Sequence, residues 1–250
     1  MTTNPNNLRL TVIGCSGTYS SSDSACSSYL VQTNTTSVLL DAGAGSSIEL
    51  QKHITLEELD AIVVSHEHPD HWTELPSLYH AYRWGLENRQ IPVYGTQGTR
   101  NRLDHACPEG TVETFEWTSI DESSTLTIGD LDFTFSLTDH PVPTLAMRVA
   151  SGGVAVAYSA DTGPGWSPVE FDAPIDLMVY ETTLPVELED SDIPHVSGRE
   201  AGERATAAGI ERLVITHVPP GHDAVERVGA TATTFDGSIE VAEPGRTFTI

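Results

Sequence analysis

The chain has 250 residues, of which 38% are hydrophobic, so one sizeable core can form and we predict a single domain over residues 1–250. Its 36 acidic and 12 basic residues give a formal net charge of −24, which disfavours a broad nucleic-acid-binding surface because phosphates are bound by clustered Lys and Arg. Salt-adapted proteins have the same kind of composition, so the acidity alone does not identify a substrate.

Membrane association and disulfide bonds are not expected. The chain has no run near the roughly eighteen apolar residues that a membrane span requires, and its first residues lack the features of a secretory signal. We therefore expect a cytosolic protein without a membrane partner. Cys15, Cys26 and Cys107 lack the C-x-x-C spacing of a thiolate zinc site, and we interpret them as small buried hydrophobes.

Short apolar runs indicate many β-strands with a few helices between them. Strands are predicted at residues 8–13, 29–32, 37–40, 61–64, 91–94, 131–137, 145–149, 154–158, 177–180 and 212–216. Helices are predicted at residues 46–53, 74–84, 96–106 and 197–208, the last with a capping box formed by Ser197 and Glu200. Two packed sheets with helices on their outer faces would satisfy this order, so we predict an α/β fold.

The segment VVSHEHPDH at residues 63–71 combines an apolar strand with four potential metal ligands. His66 and His68 lie two residues apart, so their side chains leave an extended segment on one face, and Asp70 and His71 follow the turn at Pro69. Imidazole and carboxylate ligands without thiolate suit zinc, manganese or iron. This segment therefore predicts a metal site at the end of a strand.

Three further candidate ligands, His140, Asp161 and His217, each follow another predicted strand. A single His or Asp in such a position is more often a turn or capping residue. Their joint occurrence with the 63–71 segment indicates one centre with several metal ligands.

These ligands, with TVIGCSG at residues 11–17, LLDAG at 39–43 and HVSGREAG at 195–202, resemble the metallo-β-lactamase superfamily. The resemblance is to its branch that contains ribonuclease Z and cyclic-nucleotide phosphodiesterases, and it implies a four-layer αββα sandwich. It also implies two divalent metal ions, with Zn²⁺ expected and Mn²⁺ or Fe²⁺ as alternatives. One ion would be held by His66, His68 and His140 and the other by Asp70, His71 and His217, with Asp161 bridging them.

The same resemblance implies three catalytic residues, Asp70, His195 and Asp41. Asp41 would orient a ligand through a hydrogen bond, and His195 would contact the phosphate or protonate the leaving oxygen. A metal-bridging hydroxide would be the nucleophile. The structural alternatives are a turn aspartate at Asp41 and an exposed loop histidine at His195.

The leading functional hypothesis is a phosphodiesterase for small phosphodiesters such as 3′,5′-cyclic nucleotides. An aspartate at the bridging position, the segment at residues 195–202 and the segment TDHPVPTLAMR at residues 138–148 favour it by resemblance. The alternatives are a ribonuclease Z that processes transfer-RNA 3′ ends and a hydrolase of esters, thioesters or lactones. Nucleic acid is the less expected substrate, because the chain is acidic and lacks a long basic inserted arm.

Two interpretations remain open for each of Glu181 and His222. Glu181 ends a predicted strand and either lies near the site or is solvated, and His222 either borders the pocket or is an ordinary loop residue. A homodimer is a further hypothesis, with core packing as the alternative role for the aromatic side chains considered for its interface. Those side chains are Trp72, Tyr79, Tyr82 and Trp84.

Overall fold

The computed structural model describes residues 7–107, 110–111 and 113–250, which form two β-sheets with helices on their outer faces. The strands in chain order are β1 (Arg9–Ser16), β2 (Ala25–Cys26), β3 (Ser28–Gln32), β4 (Ser37–Leu40), β5 (Ala61–Val64), β6 (Ile91–Gly95), β7 (Phe115–Ser119), β8 (Thr125–Ile128), β9 (Leu131–Leu137), β10 (Leu145–Ser151), β11 (Val154–Tyr158), β12 (Leu177–Glu181), β13 (Arg212–Thr216), β14 (Ser238–Val241) and β15 (Thr247–Thr249). The α-helices are α1 (Ser46–Leu50), α2 (Pro69–Trp72), α3 (Leu75–His80), α4 (Gln97–Ala106), α5 (Gly198–Ala207) and α6 (Ala224–Thr231). Shorter turns are the 3₁₀ segments Leu56–Glu58, Pro168–Phe171 and Val186–Leu188 and the π-helical Ala81–Gly85.

Each sheet contains a run of parallel strands whose carboxyl ends meet at one edge of the sandwich. The first sheet has the order β15-β1-β3-β4-β5-β6-β7, with β2 beside β1, and its strands from β4 to β7 are parallel. The second has the order β14-β13-β12-β11-β10-β9-β8, and its strands from β11 to β14 are parallel. Loops that follow these parallel strands are therefore brought together.

Alternation along the strands separates an inner core from two outer cores. On β5, Ala61 and Val63 belong to the inner core, whereas Ile62 and Val64 face a second core that includes residues of α3 and α4. On β12, Val179 lies in the inner core, and its neighbours on the opposite face pack with α5. The period of two and the apolar cover on both outer faces produce the αββα sandwich, which confirms the predicted fold class. Because both sheets share the inner core, the single domain predicted from length is supported and stays a prediction.

The strands that the sequence patterns missed lie at or near the sheet edges. Only the first residue of β7 and only the last residue of β8 are buried, so neither strand has an apolar run. The helix predicted at residues 74–84 ends at His80 and continues as a π turn, closed by the amide of Leu86 donating to the carbonyl of Ala81. The capping box at Ser197 and Glu200 is confirmed.

No helix within the described residues is both long and apolar enough to span a bilayer. Cys26 and Cys107 are buried and Cys15 is half-buried, in line with their interpretation as small hydrophobes. Of the four aromatic residues considered for a dimer interface, Trp72, Tyr79 and Tyr82 are buried and Trp84 is exposed. Core packing therefore explains three of them, and the homodimer stays a prediction.

Candidate metal centre

Loops from both sheets bring the predicted ligands together at the edge where the strands end. Asp41 and His66 follow β4 and β5 of the first sheet, and His140, Asp161 and His217 follow β9, β11 and β13 of the second. Asp41, Ala160 and His217 have positive φ angles of 57°, 51° and 60°. Such left-handed turns are uncommon for residues other than glycine, and here they direct side chains from the strand ends into a shared space.

Two glycines of the motifs permit this close approach. A Cβ atom on Gly17 would lie 2.4 Å from the carbonyl oxygen of His217, and one on Gly43 would lie 2.2 Å from that of Asp70. Both distances are far below van der Waals contact, so any larger residue would displace the loop that carries the ligand. Beside Gly17, the amide of Thr18 donates to Asp70 Oδ2 at 2.7 Å and fixes this carboxylate.

The first group of ligand atoms comes from His66, His68 and His140, with Asp161 beside them, all within 4.8 Å of one another. His68 Nδ1 and His140 Nε2 are only 3.0 Å apart. Asp161 Oδ2 lies 3.6 Å from His66 Nε2 and 3.9 Å from His140 Nε2. These four groups surround a space that a single cation could share.

The second group comes from Asp70, His71 and His217. Asp70 Oδ2 lies 3.3 Å from His217 Nε2 and 3.8 Å from His71 Nε2. The other carboxylate oxygen of Asp161, Oδ1, lies 3.2 Å from His71 Nε2 and 3.3 Å from His217 Nε2. Asp161 thus directs one oxygen to each group, which is the arrangement expected of a bridging carboxylate.

Hydrogen bonds occupy Nδ1 and leave Nε2 facing the centre in four of the five histidines. His71 Nδ1 donates to Asp41, and His140 Nδ1 donates to the carbonyl of Pro194. Serine and threonine hydroxyls fix the other two: Ser65 Oγ accepts from His66 Nδ1, and Thr183 Oγ1 accepts from His217 Nδ1. In each case Nε2 points inward, in the position that a metal ligand would take.

Three buried atoms that face the centre indicate that a metal ion binds there. His66 Nε2, His71 Nε2 and Asp161 Oδ1 are buried and make no hydrogen bond of acceptable geometry. Leaving buried polar atoms unpaired costs about 1–3 kcal/mol each, so such a cluster implies a missing partner. Nitrogen and carboxylate ligands without thiolate fit divalent zinc, manganese or iron. The residues therefore fit divalent cations.

The electrostatics of His66 and Asp161 agree with this arrangement, whereas for His71 the lowering of the pKa by burial is more than offset by the carboxylates of Asp161 and Asp41. Burial and the neighbouring His71 lower the pKa of His66 well below its usual range, so its imidazole is neutral. Burial alone would raise the pKa of Asp161, but the facing imidazoles of His217 and His71 hold it well below the ordinary value. Asp161 is therefore a carboxylate, and His66 keeps a lone pair for a cation.

Asp41 is a buried acceptor directly behind the ligands. Its Oδ1 accepts from the amide of Ser65 at 2.7 Å, and its Oδ2 accepts from Ser65 Oγ at 2.9 Å, His71 Nδ1 at 2.7 Å and Tyr158 Oη at 2.9 Å. It contacts His71 directly and reaches His66 through Ser65. Asp41 is therefore a turn residue whose side chain is fully buried, and its catalytic role stays a prediction.

Glu181 is fully buried, contrary to the alternative of a solvated strand end. Its Oε1 lies 2.8 Å from His195 Nδ1, and its Oε2 accepts from Thr183 Oγ1 at 2.6 Å. Burial lowers the pKa of His195, but the Glu181 carboxylate more than offsets this and raises it to about 9. The His195 ring stacks on His217 with centroids 5.7 Å apart, so His195 lies at the metal centre.

Arg227 on α6 is a contributor that the sequence did not reveal. Its guanidinium is fully buried and donates to the carbonyls of Thr182 and Thr183 at 3.0 and 3.2 Å. It therefore fixes the backbone of the residue whose hydroxyl orients His217. No local pattern singles out this arginine, because its role depends on a contact with a residue 44 positions away in the sequence.

His222 is exposed, as the interpretation of a loop residue implies.

Comparisons with known proteins agree with the geometry. Residues 36–218 match the model of the β-lactamase superfamily domain. The chain is 30% identical to the probable metallo-hydrolase YhfI of Bacillus subtilis over 95% of this chain and 98% of that one, and the crystal structure of YhfI superposes with a TM-score of 0.89 at 28% identity, covering 97% and 99%. A ribonuclease Z of Mycobacterium bovis is 28% identical over 94% of this chain and 95% of its own.

Proposed function

The chain belongs to the β-lactamase superfamily and is a metallo-hydrolase of that fold, and on this premise we propose that it is a binuclear phosphodiesterase for small phosphodiesters such as 3′,5′-cyclic nucleotides. The observation that carries the proposal is the position of Asp161, whose two oxygens face two separate groups of ligands. A paired site of this kind suits in-line displacement at phosphorus.

The proposed ligand set is the predicted one. His66, His68 and His140 would hold one divalent ion, and Asp70, His71 and His217 the other, with Asp161 between them. Such a pair lowers the pKa of a bound water and stabilises the negative charge that develops on the phosphoryl oxygens. Zinc is the proposed metal, with manganese or iron as alternatives.

The chain's own residues would handle the leaving group. His195 Nδ1 donates to Glu181, so its Nε2 can carry a second proton on the side away from that carboxylate. When hydroxide attacks phosphorus and the ester P–O bond breaks, His195 Nε2 would donate this proton to the leaving oxygen. Glu181 would stabilise the charged imidazolium before transfer and fix its orientation throughout.

The charges around the centre favour a small substrate over a long polyanion. Arg199 pairs with Glu189, Arg102 pairs with Glu67, and Arg227 is buried against backbone carbonyls. Each of these arginines already has a protein partner. A single phosphodiester can be neutralised by the metal ions and His195, whereas transfer RNA needs many phosphate contacts.

Two other activities remain as alternatives of the same site. A ribonuclease Z is favoured by the similarity to ribonucleases Z over most of the chain, and hydrolysis of an ester or lactone needs the same metal pair. Turnover of bis(p-nitrophenyl) phosphate, p-nitrophenyl acetate and a simple lactone by protein of known metal content distinguishes the reaction types. We expect the diester to be hydrolysed with the highest kcat/KM and this activity to vanish on chelation. Preference for the acetate or the lactone would contradict the proposal.

A further inference from the structure

A cleft of about 410 Å³ lies beside the metal centre, at the carboxyl ends of β6, β7 and β9. Its volume is within the range of sites for small molecules, about 300–1,000 Å³. The walls include the apolar side chains of Ile120, Leu137, Pro143 and Leu145. None of the ligands assigned above lines it, so the cleft is separate from the metal centre itself.

Three residues that line the cleft either share a loop with a ligand of the first group or contact a residue next to one. Pro143 follows His140 by three residues in the same loop. The amide of Leu145 donates to the carbonyl of Ser65, the residue before His66, at 3.2 Å. A Cβ on Gly98 would lie 1.8 Å from the carboxylate of Glu67, the residue between His66 and His68. The cleft therefore adjoins the His66, His68 and His140 side of the centre.

Leu137 gives the cleft an apolar surface that folding does not explain. It continues the row of Phe133 and Phe135 on the inner face of β9, yet it is 47% exposed, whereas both phenylalanines are buried. The sandwich ends here, so the facing first sheet leaves about half of Leu137 uncovered. An apolar side chain left open at the mouth of a metal site provides contact area for a ligand.

The polar groups of the cleft determine what kind of ligand fits. They belong to Gln97, Asp121 and Glu122 and to Thr96 and Ser119, whose hydroxyls also bond to Thr99 and Gln97 within the protein. None of the residues that line this cleft is basic, so a second phosphate would be repelled. An uncharged ring with hydrogen-bonding edges can use both the apolar walls and these groups.

We propose that this cleft is the subsite for the nucleobase of the substrate, with the phosphate at the metal centre. The inference rests on the proposed function, because a single phosphodiester places its one charge at the metals and leaves an uncharged base to be bound nearby. Leu137 is then a specificity-determining residue. It acts by contact with the base and takes no part in the chemical step.

Calorimetric titration of the zinc-loaded protein with adenosine 5′-monophosphate and with ribose 5-phosphate tests this subsite without requiring turnover. The two ligands share the sugar phosphate and differ in the base. We expect the wild-type protein to bind the nucleotide at least tenfold more tightly. Leu137→Asp should abolish that difference and Leu137→Ala should reduce it to about threefold, since an exposed position tolerates either change.

Val169→Asp is the matched control, because Val169 is 50% exposed and does not line the cleft. This variant should keep the tenfold difference. Equal affinities in the wild-type protein, or a difference that survives in Leu137→Asp, would overturn the subsite. A failure of the proposed function is seen separately, as absent diester turnover, while the affinity ratio still reports on the cleft.

Discussion

Asp41 Oδ2 lies 2.7 Å from His71 Nδ1, and both side chains are completely buried. The same carboxylate accepts the hydroxyl proton of Ser65, whose oxygen accepts from His66. One aspartate thus orients a histidine in each proposed metal group. Outer partners of this kind commonly change metal affinity by about 10- to 100-fold.

We predict that Asp41→Asn weakens metal binding by about 10- to 100-fold, because an amide cannot accept all four hydrogen bonds. Competition with a chromophoric chelator measures the affinity. Asp60→Asn is the control, since Asp60 Oδ2 accepts the amide of Ser37 at the opposite end of β4. Equal metal affinities in the two variants would contradict a role for Asp41 in metal binding.

Replacement of the proposed bridge should affect both ions. Asp161→Ala is expected to lose metal and activity together, because each of its oxygens faces one group of ligands. Elemental analysis beside steady-state kinetics provides the measurement, and Asp132→Ala, at an exposed position on β9, serves as the control. Full retention of two ions by Asp161→Ala would exclude the bridging role.

His195→Ala should retain both ions and lose turnover. We expect kcat to fall about 10²- to 10⁴-fold for a substrate with an alkoxide leaving group, which needs a proton. The loss should be much smaller for bis(p-nitrophenyl) phosphate, because nitrophenolate leaves without protonation. His105→Ala, at an exposed position on α4, should behave as the wild type. A uniform loss on both substrates would argue against proton donation by His195.

Arg227→Met should weaken the binding of the ion held by His217. The guanidinium fixes the backbone of Thr183, whose hydroxyl orients that histidine. Arg212→Met is the control, because Arg212 also donates to a backbone carbonyl, that of Thr249, at the opposite end of β13 from His217. Chelator titration should show at least tenfold weaker binding of one ion in the first variant alone. The same metal affinity in both variants would mean that Arg227 only supports the fold.

Metal removal should lower the free energy of unfolding. A ligand that binds only the folded state, present at 100 times its Kd, contributes about 2.7 kcal/mol, so zinc at that concentration or above should raise the free energy of unfolding by at least this amount. Denaturant unfolding with zinc and with chelator measures the difference. Asp161→Ala should show little of it, and an equal effect of zinc on that variant would point to binding elsewhere.

The parts predicted well from sequence are those encoded locally. A buried strand that ends in His66, or in Asp161, is visible because both the apolar run and the ligand lie within a few residues. The roles of Glu181 and Arg227 were not predictable in this way, since burial and a contact between distant segments define them. Edge strands such as β7 were missed because half-exposed strands lack the apolar run that identifies a central one.

The most direct test of the central claim is turnover of 3′,5′-cyclic AMP and of a precursor transfer RNA by the same metal-quantified preparation at moderate salt. We predict selective hydrolysis of the cyclic nucleotide, abolished in Asp70→Ala, because Asp70 belongs to the second group of ligands. Selective cleavage of the RNA would contradict the argument from charge and identify the protein as a ribonuclease Z.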